Sequence, residues 1–129
     1  MSSRGSVAEN GHVLTNEYET VYVTKLGVKV LKGIGEKHSL PDFAHTKNSI
    51  YAKVEKDGTL REMRFYNDEG WPIIEIAYHA EKNLDKSGKK VVHYHLYGGL
   101  NRDDAKLLTS EIKAKYKEYL KEFNLYDKC

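Results

Sequence analysis

One cysteine, two prolines and one tryptophan are all that the 129 residues hold of three informative residue types. The lone Cys129 excludes an internal disulfide and a cysteine-based zinc cluster. As the last residue, at an end expected to fray, it is poorly placed for a nucleophile. Long apolar runs are missing: nothing approaches the roughly 18 residues that cross a bilayer. The opening MSSRGSVAENGHVL also lacks the apolar stretch of a secretory signal. A cytoplasmic chain with no membrane partner is the expectation. Strong charge of one sign is absent as well, since the formal net charge of +2 is far from that of a dedicated duplex binder.

What charge there is lies unevenly. Lys25, Lys29, Lys32, Lys37 and Lys47 fall between residues 20 and 50 against only Glu36 and Asp42. Such a patch fits phosphate contacts or a plain solvated surface. Ten tyrosines are many for this length and suit either a rigid contact surface or a core. Size and composition fit one globular domain. Residues 1–16, rich in Ser, Gly and Asn, read as a flexible arm, and residues 17–129 as a single α+β domain.

Alternation marks the strands. YETVYV starts one near Thr20, residues 28–34 fit a strand or a short helix, and residues 33–49 read as a long loop. SIYAKVE, LREMRFY, PIIEIAY and KVVHYHLY then alternate, separated by the turn segments KDGT, NDEG and EKNLDKSGK. They predict a four-stranded antiparallel meander over 49–97. In the last segment Ala105, Leu108, Ile112, Tyr116, Tyr119, Leu120 and Phe123 recur at three- and four-residue steps. That spacing predicts one helix of about 20 residues, capped by Asn101 or Asp103. The expected fold is therefore an antiparallel sheet of four to five strands with a long C-terminal helix packed on one face.

Residue parity sorts the two faces of the meander. Met63, Phe65, Ile74, Ile76, Tyr78, Val92, Tyr94 and Leu96 make an apolar side for the helix. The other side collects Glu62, Arg64, Tyr66, Glu75, Ala77, His79, His93, His95 and Tyr97, and reads as the open face of the sheet.

Three uses of that face stay open. One is metal-independent RNA cleavage, in which a base takes the ribose 2′-hydroxyl proton and an acid protonates the departing oxygen. Histidine serves either role near neutral pH. His93 and His95, or one of them with His79, supply the acid–base pair, Glu75 orients an imidazole, and Arg64 holds the phosphate. Tyr66, Tyr97 or Trp71 stack a base, and Lys47 belongs to the basic stretch. The second use is a three-histidine metal site. The third is a non-catalytic interface that binds a host protein. The first needs no cofactor. His12 and His38 lack supporting context, and His45 is a candidate that a closing loop brings in.

The run from SLPDFAHTKNSIYAKVEKDG to VVHYHLY carries a further pattern. Leu40-Pro41, Asn48-Ser49, Asp57-Gly58, Arg64 with Tyr66 and Gly70, Glu75-Ile76 with Tyr78, and His93 with His95 follow in order. Over residues 40–97 this resembles small prophage-associated proteins and the C-terminal domains of bacterial polymorphic toxins. The resemblance implies a predicted RNase of the barnase/EndoU/colicin/RelE-like group. Two positions depart from the pattern: Ala77 stands in place of a second acid, and Val92 where proline is frequent. The missing acid implies altered or absent activity.

Overall fold

A computed structural model describes residues 18–33, 39–44 and 46–129. The predicted arm over 1–16, and His12, His38 and His45, lie outside the described residues. Eight strands form one mixed sheet. They are β1 (Tyr18–Val23), β2 (Lys29–Gly33), β3 (Ile50–Val54), β4 (Leu60–Tyr66), β5 (Pro72–Ala80), β6 (Lys90–Gly98), β7 (Asn101–Arg102) and β8 (Lys106–Leu107). The order is β1 to β7 in sequence, and β8 pairs with β6 as well. β3 to β6 are consecutive antiparallel neighbours, joined at turns where Gly58, Gly70 and Gly88 take positive φ.

This corrects the expected four- to five-stranded sheet with one long helix. β1 and β2 form a hairpin, and β2 runs parallel to β3, which makes the sheet mixed. The C-terminal segment holds two short helices, α1 (Ser110–Lys115) and α2 (Lys117–Glu122), followed by a single 3₁₀ turn over Tyr126–Lys128. Tyr116 separates them with φ −106° and ψ 19°, outside helical values. The apolar periodicity extends too far towards the N-terminus because residues 101–107 have a competing use. They pair along β6, whose edge would otherwise carry unpaired backbone groups. Asp103 spends its side chain on the Leu96 N–H, and the helical cap falls to Thr109, which accepts from the Ile112 N–H.

The main core lies between the sheet and the short helices. Met63, Phe65, Ile74, Ile76, Val92 and Tyr94 from the strands meet Tyr116, Leu120 and Leu125. Full burial contributes about 1.5–3 kcal/mol for each large apolar side chain, before entropy is counted. A smaller apolar cluster sits on the other face: Tyr18, Leu31, Leu40, Ala44, Tyr51 and Tyr66. Its existence follows from topology. Parallel neighbours need a crossover connection, and the described part of the one between β2 and β3 lies over this second face. Among the described residues no helix is long and apolar enough to cross a membrane.

Candidate functional site

Strand register sets the site. Across β3–β6 one row reads Tyr51, Arg64, Glu75, His95, and the next reads Lys53, Glu62, Ala77, His93. His79 follows Ala77 on the same side of β5. The polar residues therefore share one face, but that face is closed. Arg64, Glu75, His93 and His95 are all buried, His93 completely. The crossover segment covers part of the sheet there, which overturns the expectation of an open surface.

Arg64 is the bolt of this layer. Its Nε and Nη2 donate to Glu75 Oε1 at 3.0 and 2.7 Å. Nη1 donates to the carbonyl oxygens of Leu40 and Pro41 at 3.2 and 3.1 Å. The Tyr66 hydroxyl donates to the same Pro41 carbonyl. The guanidinium thus fastens the crossover to the sheet and has no fork left for a phosphate. Glu75 also accepts from the Tyr97 hydroxyl at 3.2 Å and from Arg102 Nη1 at 3.1 Å. Burial alone would raise the Glu75 pKa, yet the charge and hydrogen bonds of Arg64, with Arg102 and His95, hold it below the usual value. Tyr97 is pushed up to about 12 by burial and by the neighbouring Glu75.

The histidines stand in file. The rings of His79 and His93 meet edge to face at 4.7 Å, and those of His93 and His95 at 5.3 Å. Each Nδ1 lies on a backbone carbonyl oxygen: His79 on Ala80, His93 on Val91 and His95 on Asp103, at 3.0, 2.9 and 2.8 Å. A carbonyl only accepts, so each Nδ1 carries the hydrogen. In the neutral ring Nε2 is then a bare lone pair. His93 Nε2 is buried and has no hydrogen-bond partner. Burial, helped by the flanking imidazoles, lowers the His93 pKa against the opposing effect of the Val91 carbonyl. His93 is neutral at pH 7 and its Nε2 is a stranded acceptor.

The remaining candidates divide. Tyr66 is buried and committed to Pro41, so it offers no face for a base. Tyr97 is half-buried with its ring 5.4 Å from the Arg64 guanidinium carbon. Trp71 is 37% exposed and packs edge-on against Phe43 at 4.8 Å. Lys47 is exposed near the β4–β5 turn, which its neighbour Asn48 reaches by a bond to the Asn67 carbonyl. The three-histidine metal centre does not form: among the described residues no group of three His, Cys, Asp or Glu side chains is placed to hold a metal ion.

Arg102 is the site residue that sequence reasoning missed. Its side chain is 48% exposed while its tip reaches Glu75. The signal was Gly98-Gly99 directly after a strand, a turn dipeptide that argues for a returning strand in place of a helix start. No protein-family model, no curated protein and no solved structure matches the chain.

Proposed function

We propose that the chain is a metal-independent RNA-cleaving domain of prophage- or toxin-like kind, acting in the cytoplasm. The supporting observation is the unpartnered Nε2 of His93. Buried polar atoms almost always find partners, and an acceptor with none, in a neutral ring, is what a general base needs. His93 Nε2 takes the proton of a ribose 2′-hydroxyl. The 2′-oxygen then bonds to phosphorus, the bond from phosphorus to the 5′-oxygen breaks, and that oxygen leaves with a proton. The products are a 2′,3′-cyclic phosphate and a 5′-hydroxyl. Arg102, half-exposed beside Glu75, replaces Arg64 as the cation for the phosphate. His79, the half-buried ring against His93, packs edge to face on it and helps fix the imidazole. Because His93 is covered, substrate entry has to displace the side chains above it.

The test is purified protein with RNA, with and without EDTA, beside His93→Gln. Cleavage that resists EDTA, leaves cyclic phosphate ends and falls about 10²–10⁴-fold in the variant is expected. Cleavage that EDTA abolishes would contradict the mechanism, and no cleavage would contradict the function.

A second reading rests on the burial itself. If the polar layer serves only to hold the crossover, the accessible apolar side chains include those where β5 begins and β6 ends. There Trp71, Ile73 and Leu100 are 37%, 42% and 47% exposed. Such a patch fits docking to a host protein.

A further inference from the structure

We propose that Lys113, Lys117 and Lys121, gathered around the Tyr126 ring, form a contact site for the backbone phosphates of single-stranded nucleic acid. The choice of RNA as the natural strand rests on the proposed cleavage, but these residues stand apart from the histidine face.

Helical spacing makes the row. Residues four apart lie on one side of a helix, one turn above each other. The change of geometry at Tyr116 does not break this, because the Tyr116 N–H still reaches the Ile112 carbonyl and the Leu120 N–H reaches that of Tyr116. The three positions therefore follow one another about 6 Å apart along α1 and α2. The chain then turns back. Asn124 takes a positive φ of 60°, a conformation that ends many helices, and the Leu125 N–H bonds to the Leu120 carbonyl at 2.7 Å. Leu125 is buried in the core, and the 3₁₀ turn after it lays the Tyr126 ring against the lysine row.

The ammonium nitrogens of Lys113, Lys121 and Lys117 stand 4.4, 5.3 and 5.9 Å from the centre of that one ring. The ring draws cations in, but three like charges repel, and like pairs four residues apart oppose the helix. Among the described residues no carboxylate forms an ion pair with any of the three. Glu122, beside Lys121 in sequence, spends one oxygen on the Leu26 N–H. Asp127 lines an open cavity of about 260 Å³ with Lys121, Asn124 and Tyr126.

Such a row fits a chain of anions. A nucleic-acid strand carries one negative charge at each nucleotide, and lysine binds phosphate as a point charge. A protein partner or a membrane surface draws affinity from apolar anchors as well. Among the described residues the exposed large apolar side chains end at Leu107, so none of them lies on these helices.

Fluorescence anisotropy tests the site with a labelled single-stranded oligodeoxyribonucleotide, which has the phosphates but no 2′-hydroxyl to react. Affinity is followed against salt for wild type and for Lys113→Gln/Lys117→Gln/Lys121→Gln. The control is Lys82→Gln/Lys86→Gln/Lys89→Gln, which removes the same charge from exposed positions between β5 and β6. Each phosphate contact contributes about 0.7 to the slope of log affinity on log salt, so the helix variant should bind more weakly with a slope smaller by about 2. The control should keep the wild-type slope, and so should Lys113→Arg/Lys117→Arg/Lys121→Arg. Equal losses in the two glutamine variants would show a general charge effect and overturn the site. So would a wild type that does not bind the strand, or one that prefers phosphatidylserine vesicles or poly-glutamate to it. Binding with the expected slopes in a protein that cleaves no RNA upholds the site and rejects the cleavage. RNA cleavage with the same slope in wild type and helix variant does the reverse.

Discussion

Replacing Arg64 by Met is expected to destabilise the fold by about 3–5 kcal/mol, the range for removing one partner of a buried ion pair. The substitution leaves Glu75, only 1% exposed, with Arg102 as its remaining cation. It also takes the donor from the Leu40 carbonyl, while the Pro41 carbonyl keeps the Tyr66 hydroxyl, and a buried polar group left unpaired costs about 1–3 kcal/mol. Urea denaturation measures the loss. The double variant Arg64→Met/Glu75→Leu separates the two causes, because it removes the stranded charge and leaves the Leu40 carbonyl without its donor. It should be more stable than the single variant. A double variant less stable than Arg64→Met would show that the ion pair is not what Arg64 is there for.

Gly70→Ala should cost about 2–4 kcal/mol, as the sum of a left-handed backbone penalty and an overpacking term. Gly70 has φ +88°, and a Cβ there would overlap the carbonyl oxygen of Ala44. The overlap is with backbone, so no side-chain rotation relieves it. Ala44 in turn donates its N–H to the Gly70 carbonyl at 2.9 Å. This turn is a further fastening of the crossover to the sheet, beside Arg64 and Tyr66. Gly58→Ala is the control: its φ is +88°, but nothing lies within 4 Å of an added Cβ. It should show the backbone penalty alone, about 1–2 kcal/mol. Equal losses at the two glycines would mean that the Ala44 contact carries no weight.

Both substitutions act on the feature that sequence reasoning lacked. The alternation in 49–97 located β3 to β6, and parity separated Met63, Phe65, Ile74 and Ile76 from Glu62, Arg64, Glu75 and His93 without error. Period 2 is a local property, so it survives any topology. The crossover is not local. Whether the chain after β2 leaves the sheet or returns over it, as residues 39–44 do, depends on β2 choosing a parallel neighbour, and no residue pattern within the loop records that choice. Calling the polar face open followed from missing this cover.

The C-terminal error has a different origin. Leu108, Ile112, Tyr119 and Phe123 do pack at the edge of the main core, so the apolar stripe is real. Asp103 suits a helical cap by residue type, but Asn101, Arg102, Lys106 and Leu107 pair with the edge of β6 instead. Tertiary pairing outweighed propensity there. With that segment went Arg102, a half-exposed cation that reaches Glu75.

The claim on which the rest depends is that His93 presents an unprotonated, unpaired Nε2 at neutral pH. Nitrogen-15 NMR of the imidazole rings reads this directly. The account predicts that His93 carries its hydrogen on Nδ1 at pH 7, and that Nε2 gains a proton only below 6.5. A His93 found protonated on Nε2 at pH 7, whether as the other tautomer or as the cation, would contradict it.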